Sequence, residues 1–399
     1  MQTSLDKVTF LVGSAENIWR LKSIAAMEPF SANMINFLND VSRRLMSDQR
    51  VKRYPDVVTV AFWMRKSSVG RLKERFCKED GMYRLGKGIA FHIAPSNVPV
   101  NFAYSLVVGL LTGNANIVRV PSKDFEQVSI IADAFNETLK NHKELKHYVM
   151  LVKYNRDKEI NDFFSSMSDI RIIWGGDATI EELRKSLLPP HSGEITFADR
   201  YSLAVIDADR YIATGNKARV AEDFYNDTFL SDQNACTSPR IVVWIGSKIE
   251  EAKELFWKEA HRLVKEKYTF QAIQAVNKLT SAYLIGAAIH GCRVCEHEDN
   301  LIIRIRVPEV TSSLMDYRDN SGFFFEYDCQ DIMEIRDICN DRHCQTIGYF
   351  GDKDIFKPLV LSGIRGVDRI VPIGKTMDFD LIWDGYDLVS MMTRAIVID

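Results

Sequence analysis

Residues 88–123 read GIAFHIAPSNVPVNFAYSLVVGLLTGNANIVRVPSK, a stretch in which the periodicity changes twice. The runs Ile89–Ala94 and Asn116–Val120 are rich in β-formers, and the apolar run Val98–Leu111 between them has helical length. A strand, a helical crossover and a second strand predict two parallel neighbours in one sheet. The alternation continues outward. Phe125–Leu139 predicts a helix, Tyr148–Lys153 a strand, Ile160–Met167 a helix, Ile170–Trp174 a strand and Thr179–Leu187 a helix. The run Pro189–Arg200, PPHSGEITFADR, is rich in turn formers and reads as a boundary. Beyond it, strands are expected at Ser202–Ile206 and Ile241–Ile245, with a helix near Ala218–Phe229 and further helices through Ala288. Later strands are expected at Cys292–Glu296, Leu301–Arg306, Phe323–Tyr327 and Thr346–Phe350. Upstream, Met34, Leu38, Val41 and Leu45 recur at helical spacing, a helix is expected around Ile18–Ala26, and the first 75 residues read as helical. The expectation is an α/β protein of two domains with a cleft between them. Residues 1–200 join a helical segment to the first domain, 201–370 form the second, and 371–399 pack back or mediate contacts between copies.

Composition narrows the function classes. The 399 residues are 46% hydrophobic and 26% charged, as in an ordinary globular protein. A formal net charge of -3 argues against a general nucleic-acid-binding surface. No window approaches the roughly 18 uninterrupted apolar residues of a spanning helix, and the start carries no basic leader before an apolar run. A cytoplasmic protein is the expectation. Seven cysteines form an odd set with no regular framework, so reduced thiols are expected.

One thiol differs from the rest in its surroundings. Cys236 sits in Ser231-Asp232-Gln233-Asn234-Ala235-Cys236-Thr237-Ser238-Pro239-Arg240, between a predicted helix and the apolar strand Ile241–Ile245. A nucleophilic thiol needs access, little bulk beside it and a free backbone N–H to receive an oxyanion. Small polar neighbours meet those needs, although a small buried cysteine in a tight turn would have the same neighbours. His92-Ile93-Ala94-Pro95-Ser96-Asn97-Val98-Pro99 places Asn97 between a strand end and a helix start, where an Asn serves chemistry or caps the helix. His92, within the strand, reads as structural.

The run Gln233–Pro239 resembles the nucleophile segment of the aldehyde dehydrogenase superfamily and, more closely, the LuxC-type acyl-CoA reductases. Val367-Asp368-Arg369-Ile370-Val371-Pro372-Ile373-Gly374 and Ile382-Trp383-Asp384-Gly385-Tyr386-Asp387 are similar to the same family. The resemblance runs from about Gly88 to the C-terminus. It implies an aldehyde-dehydrogenase-like fold of two Rossmann-like domains, with Cys236 as nucleophile and the Asn97 amide as oxyanion donor. It also implies a nicotinamide cofactor. No Gly-x-Gly-x-x-Gly follows a strand in the first half. The family's Gly-Asn turn and strand with a basic end are matched by Gly113-Asn114 and Arg119, and Ser122 falls where NAD-preferring members carry a Glu. Arg119 and Lys123 without that carboxylate favour NADPH over NADH, although a basic solvated loop would look the same. Gly175 and Gly176, after Ile170–Trp174, fall where a glycine loop contacts the cofactor, with Thr179 and Glu182 expected as a capping box for the next helix. Glu326 is the one candidate for a nicotinamide-ribose contact.

The activity implied is reduction of an activated fatty acyl group, carried by coenzyme A or by a protein, to the aldehyde. An acyl-protein synthetase or acyltransferase is the partner class, and a homo-oligomer is left open. Oxidative aldehyde dehydrogenation and a cofactor-free acyltransferase or acyl-binding protein are the rival readings. Hydrolytic members carry a Glu a few residues before the stretch around Ser202, and here that place aligns with Phe197, with Glu194 and Asp199 nearby. His290-Gly291-Cys292-Arg293-Val294-Cys295-Glu296-His297 has zinc-like spacing, but it reads as one arm of a hairpin turning at Glu298-Asp299-Asn300. Strand geometry would send residues 292 and 295 to opposite faces, so no metal is expected.

Overall fold

The computed structural model describes residues 5–77, 81–96, 98–295 and 299–398. The chain divides into two units, residues 1–198 with 381–399, and residues 199–380. The first unit carries β1 (Thr9–Val12), β2 (Tyr83–Gly86), β3 (Ile89–Ile93), β4 (Ala115–Arg119), β5 (Val149–Lys153), β6 (Ile170–Trp174) and β7 (Gly193–Phe197). The second carries β8 (Tyr201–Asp207), β9 (Pro239–Ile245), β10 (Arg293–Val294), β11 (Ile303–Arg306), β12 (Phe323–Cys329), β13 (Cys344–Phe350) and β14 (Arg369–Pro372). The chain then returns to the first unit through β15 (Ile382–Trp383), β16 (Tyr386–Asp387) and β17 (Thr393–Ile396).

The first sheet has the order β1-β5-β4-β3-β6-β7, parallel except for β1. The strand order reverses between β3 and β6, the switch point where ligands of open α/β sheets bind at the carboxyl ends. Parallel central strands are covered on both faces, so they read as continuous apolar runs. All five residues of β3 and all five of β6 are buried. Truncating Phe91, fully buried in β3, would cost roughly 3–5 kcal/mol. The charge within β6 is satisfied in place. Arg171 donates to Glu194 at 2.9 Å, Ser165 Oγ at 3.0 Å and the carbonyls of Leu183 and Ser186 at 3.0 and 2.7 Å.

Gly113 is a point of close approach. At φ 82° its position brings an added Cβ to 2.1 Å from the Met27 carbonyl, so only glycine lets the N-terminal segment dock there. Met27 exchanges backbone hydrogen bonds with Gly113 and Gly86 at this point. The Asn114 amide then ties three segments, accepting from Gly88 N at 3.0 Å and donating to Thr112 Oγ1 at 2.9 Å and Met392 O at 3.0 Å. β17 pairs antiparallel with β2, from Thr393↔Gly86 to Ile396↔Tyr83.

The second sheet runs β10-β11-β12-β9-β8-β13-β14, parallel except for β10. Buried aliphatic and aromatic residues line both faces, Leu203, Val205, Ile241 and Phe325 on one and Ile206, Val242, Trp244 and Phe324 on the other.

Four expectations are corrected. The first 75 residues are not all helical, because Thr9–Val12 forms the edge strand β1 against β5. Pro189–Arg200 is more than a turn-rich boundary, because it houses β7, which pairs with β6 in register Ile172↔Ile195. The helix expected from Val98 begins at Asn101. The helix expected from Thr179 begins at Asp177 with Gly176 as its N-cap, so Thr179 already lies inside the helix and the capping box does not form. Among the described residues, no helix is long and apolar enough to cross a membrane.

Candidate active site

The segment that carries Cys236 is a strained turn held by its own side chains. After the helix Lys217–Thr228 and one 3-10 turn, Asp232 and Gln233 both take left-handed backbone, at φ 53° and 57°. Two consecutive non-glycine residues there cost roughly 1–2 kcal/mol each. The Asp232 carboxylate offsets that cost by accepting from Ser321 Oγ at 2.8 Å, Gln274 Nε2 at 3.0 Å and the Tyr268 hydroxyl. The buried Gln233 amide donates to the carbonyls of Pro239 and Phe323 at 2.9 and 3.0 Å and accepts from the backbone N–H of Gly322 and Phe323 at 3.0 and 3.1 Å. Its two donors and its acceptor oxygen are all in use. The turn therefore presents Cys236, half-buried, just before the amino end of β9. Ser202 Oγ donates to the Cys236 carbonyl at 2.7 Å, and Ser238 N to Ala235 O at 3.0 Å.

A buried cation lies near this thiol. Arg240 donates to Asp319 O at 2.8 Å, Asn320 Oδ1 at 2.7 Å and Gln233 O at 3.0 Å. Burial, with the nearby Arg318 charge, pushes the Arg240 guanidinium down to about 10, while Asp199, Asp319 and Cys236 oppose that shift. Arg240 thus interacts electrostatically with Cys236. Cys329, Cys339 and Cys344 are buried. Burial raises the thiols of Cys77 and Cys292, and burial with the Glu326 charge raises Cys295. Cys292 donates to Ile285 O at 3.5 Å and Cys295 to Glu326 at 3.6 Å. Residues 296–298 lie outside the described residues, and among those described no three His, Cys, Asp or Glu converge as a metal site.

Sequence reading gave no role to a second brace on the same turn. Asp227, buried, accepts from Gly374 N at 2.6 Å and Thr376 N at 3.2 Å. These bonds fix the loop after β14 so that Met377 accepts from Thr237 Oγ1 at 3.1 Å, beside Cys236. Burial raises the Asp227 carboxyl to about 7 against the backbone N–H groups that hold it.

The first unit collects the cofactor candidates at the carboxyl edge of its sheet. Arg119 ends β4, with its guanidinium 4.6 Å from the Tyr154 ring centroid and a 3.3 Å bond to Tyr154 O. Burial lowers its pKa, and the charge of Arg156 acts in the same direction. Ser122 and Lys123 follow in an exposed loop. Gly175 N donates to Phe197 O at 3.1 Å, and a Cβ added at Gly176 would meet nothing within 4 Å. Asn97 lies outside the described residues.

Beneath this edge, fully buried His92 contacts Ser105 Oγ at 2.7 Å and Asn116 Oδ1 at 3.0 Å, and Trp174 Nε1 donates to Ser105 Oγ at 3.1 Å. Burial pushes His92 down to about 4, so it is a neutral structural ring. Phe197 stacks on Trp174 at 3.7 Å between centroids and meets the Tyr386 edge at 5.8 Å.

Glu326, the candidate for the ribose contact, is buried. It lies inside β12 of the second unit, accepting from the indole N–H groups of Trp244 and Trp257 at 3.0 and 2.6 Å and from Arg304 at 3.2 Å. At 1% exposure its carboxylate is committed to holding two tryptophans, and it is reassigned to the core.

The acyl-CoA reductase (LuxC) family matches residues 5–395. The chain belongs to that family. The LuxC match begins well before Gly88, so it extends to the N-terminal segment where the quoted motifs are absent. Relatives include a long-chain acyl-protein thioester reductase from Aliivibrio fischeri, 26% identical over 72% of this chain and 58% of that protein. The match thus spans less than two thirds of that relative. One from Photorhabdus laumondii is 22% identical, over 86% of this chain and 76% of that protein. Among solved structures, aldehyde dehydrogenase 21 from Physcomitrella patens gives a TM-score of 0.67 at 12% identity, covering 97% of this LuxC chain and 91% of that one. Glyceraldehyde-3-phosphate dehydrogenase from Methanocaldococcus jannaschii, complexed with NADP, gives 0.66 at 15%, covering 96% and 92%. The fold is that of the aldehyde dehydrogenases.

Proposed function

We propose that this chain reduces a long-chain fatty acyl thioester to the aldehyde with NADPH, through a thioester on Cys236. The observation that carries the reading is the braced turn of Asp232 and Gln233, which spends local strain to present one thiol beside Arg240. The Cys236 thiolate attacks the acyl carbonyl, the backbone N–H of Cys236 and the Asn97 amide receive the oxyanion, and the carrier thiolate leaves. A bound nicotinamide supplies the hydride that turns the acyl-enzyme into aldehyde. Arg119, Ser122, Lys123, Gly175 and Gly176 would hold that cofactor. The open space over Gly176 and two cations without a carboxylate at residue 122 fit a pyrophosphate and a 2′-phosphate.

The reductive direction is favoured by what stands in place of a hydrolytic base. Phe197 cannot accept a proton, and its ring is closed between Trp174 and Tyr386. Glu194 is paired with Arg184 at 2.7 Å and with Arg171, and Asp199 with Arg318 at 2.6 Å. Releasing either carboxylate for base catalysis would break an ion pair. The acyl-enzyme therefore waits for hydride or for a second thiol. The carrier is coenzyme A, as in the family's description, or an acylated protein, as in the names of the relatives.

The test is incubation with a long-chain acyl-CoA without cofactor, followed by peptide mass analysis. One acyl group is expected on the peptide containing Cys236, stable until NADPH is added and then recovered as aldehyde. Rapid release of free fatty acid before NADPH is added would overturn the reductive reading.

A further inference from the structure

The helix Ala272–Ala288 carries a single charged residue, and it is turned inward. Lys278 is fully buried. Its ammonium donates to Leu301 O at 2.9 Å and Ser321 O at 2.6 Å and lies 4.5 Å from the Phe270 ring centroid. Two carbonyls and one ring face thus take up its three N–H directions. All three are neutral, which makes this a costly place for a cation. Burial pushes Lys278 down to about 7, against the opposing charges of Asp319, Asp232 and Asp299. A position that needed only filling would take an apolar side chain of similar length.

What Lys278 grips accounts for the charge. Residues 319–323 meet the turn that carries Cys236 almost residue by residue. Asp319 O and Asn320 Oδ1 accept from Arg240, and Asn320 Nδ2 donates to Asn234 Oδ1 at 2.7 Å. Ser321 Oγ donates to Asp232 at 2.8 Å, and the N–H groups of Gly322 and Phe323 donate to Gln233 Oε1 at 3.0 and 3.1 Å. The strip is itself bent, with Ser321 at φ 61° and Gly322 at φ 88°. A Cβ at Gly322 would stand 2.5 Å from Leu301 O. Left-handed backbone at Ser321 needs outside support. Lys278 bonds the Ser321 carbonyl at the bend and the Leu301 carbonyl against which the bend is packed. One ammonium therefore holds both sides of it.

We propose that Lys278 is a positioning residue for Cys236. By fixing residues 319–323 it holds the mould in which Asp232 and Gln233 keep their left-handed backbone. This role rests on Cys236 as the thiol that accepts the acyl group, and it deepens that reading by naming what aims the thiol. The buried charge serves aim rather than stability.

The test compares the full chain with Lys278→Met, which keeps the side chain's length and removes its donors. Cys236 is followed in two ways, by alkylation with iodoacetamide and by acyl transfer from a long-chain acyl-CoA without cofactor, each read by peptide mass. The melting temperature is expected within about 3 °C of the parent, because the lost bonds and the relieved burial offset each other. Both labelling rates are expected to fall about tenfold or more, with little change in the acyl-CoA concentration at half-saturation. A merely structural lysine would lower the fraction of chains labelled and leave the rate of that fraction alone. That outcome, or parental rates in the folded variant, overturns the proposal. Lys253→Met removes another buried lysine from Asp328, at the far end of β12, and should lower the melting temperature while Cys236 reacts at the parental rate. An equal slowing there would also overturn it. If Lys278→Met does not fold, Ser321→Ala cuts the same link at Asp232, and undiminished alkylation in that variant sinks the idea. A parent chain that takes up no acyl group, but whose alkylation falls in Lys278→Met, would overturn the proposed function and leave the positioning role standing.

Discussion

The turn that carries Cys236 and the corner that carries Gly175 and Gly176 both lie at strand ends, and they are held in opposite ways. The first uses two left-handed non-glycine residues pinned by buried side chains, with all the polar atoms of Gln233 engaged. The second has ordinary backbone at Gly176, φ -66°, no side-chain cap and empty space where a Cβ would stand. The proposed nucleophile would have to be aimed before its substrate arrives, and a turn with strain and fixed partners suits that role. A surface that receives a phosphate needs backbone left uncovered. Stability and binding should therefore separate between the two regions.

The sharpest separation is at the thiol itself. Cys236→Ala should lower acyl transfer and reduction by about 10⁴-fold or more, while thermal melting stays within about 0.5 kcal/mol. Acyl label retained by the variant on Cys292 or Cys295 would move the nucleophile elsewhere.

Next, Gln233→Ala should lower stability by about 3 kcal/mol, because it leaves buried partners unpaired. Gly176→Ala should change stability by less than about 1 kcal/mol yet weaken NADPH binding about tenfold or more in fluorescence titration. If Gly176→Ala melts the protein, or Gln233→Ala does not, the contrast between the two regions is wrong.

A finer cut concerns Arg119. Arg119→Ala should weaken NADPH by about 1–3 kcal/mol and NADH by less, since only NADPH carries the 2′-phosphate. Equal losses in isothermal titration would return Arg119 to a purely packing role on Tyr154.

The smallest effect is a pH dependence confined to the nucleophile side. Asp227 is raised to about 7 in the folded chain from an ordinary value of 3.8, so the folded state holds the extra proton between those values. Its stabilisation is full below about pH 4, declines as pH rises and is lost above about pH 7. The expected loss is on the order of 1 kcal/mol or more, roughly 2–4 °C in melting temperature. Asp227→Asn keeps an acceptor for Gly374 N and Thr376 N and should flatten this slope. An unchanged slope in the variant would assign the effect to another group.

The same contrast explains what the sequence could reveal. Central strands such as Ile170–Trp174 are buried on both faces, so their apolar runs were legible to the residue. Edge strands were not. In β7, Gly193, Glu194 and Thr196 are only partly buried, and the run looks like a turn until β6 is placed beside it. β1 depends on Lys153 and Val152, far away in the chain. At the candidate site, Cys236 stands out in the sequence because its neighbours are small. The brace beneath it does not, since left-handed backbone at Asp232 and Gln233 carries no glycine to announce it. Glu326 looked available after three phenylalanines, but the indoles that claim it arrive from β9 and from the helix Ile249–Lys267.

The pairing of β17 with β2 sets an order of assembly. Gly86 is synthesised about 300 residues before its partner Thr393, a wait of roughly 15–60 s at ordinary translation rates. The second unit, lying wholly between the two strands in sequence, can fold during that wait. The first unit cannot close its ladder at β2, nor give Asn114 its bond to Met392, until the last strand emerges. A newly made chain thus passes through a stage in which the second unit can be folded while the first unit's ladder at β2 is still open, and that stage is where a chaperone or a protease would find it.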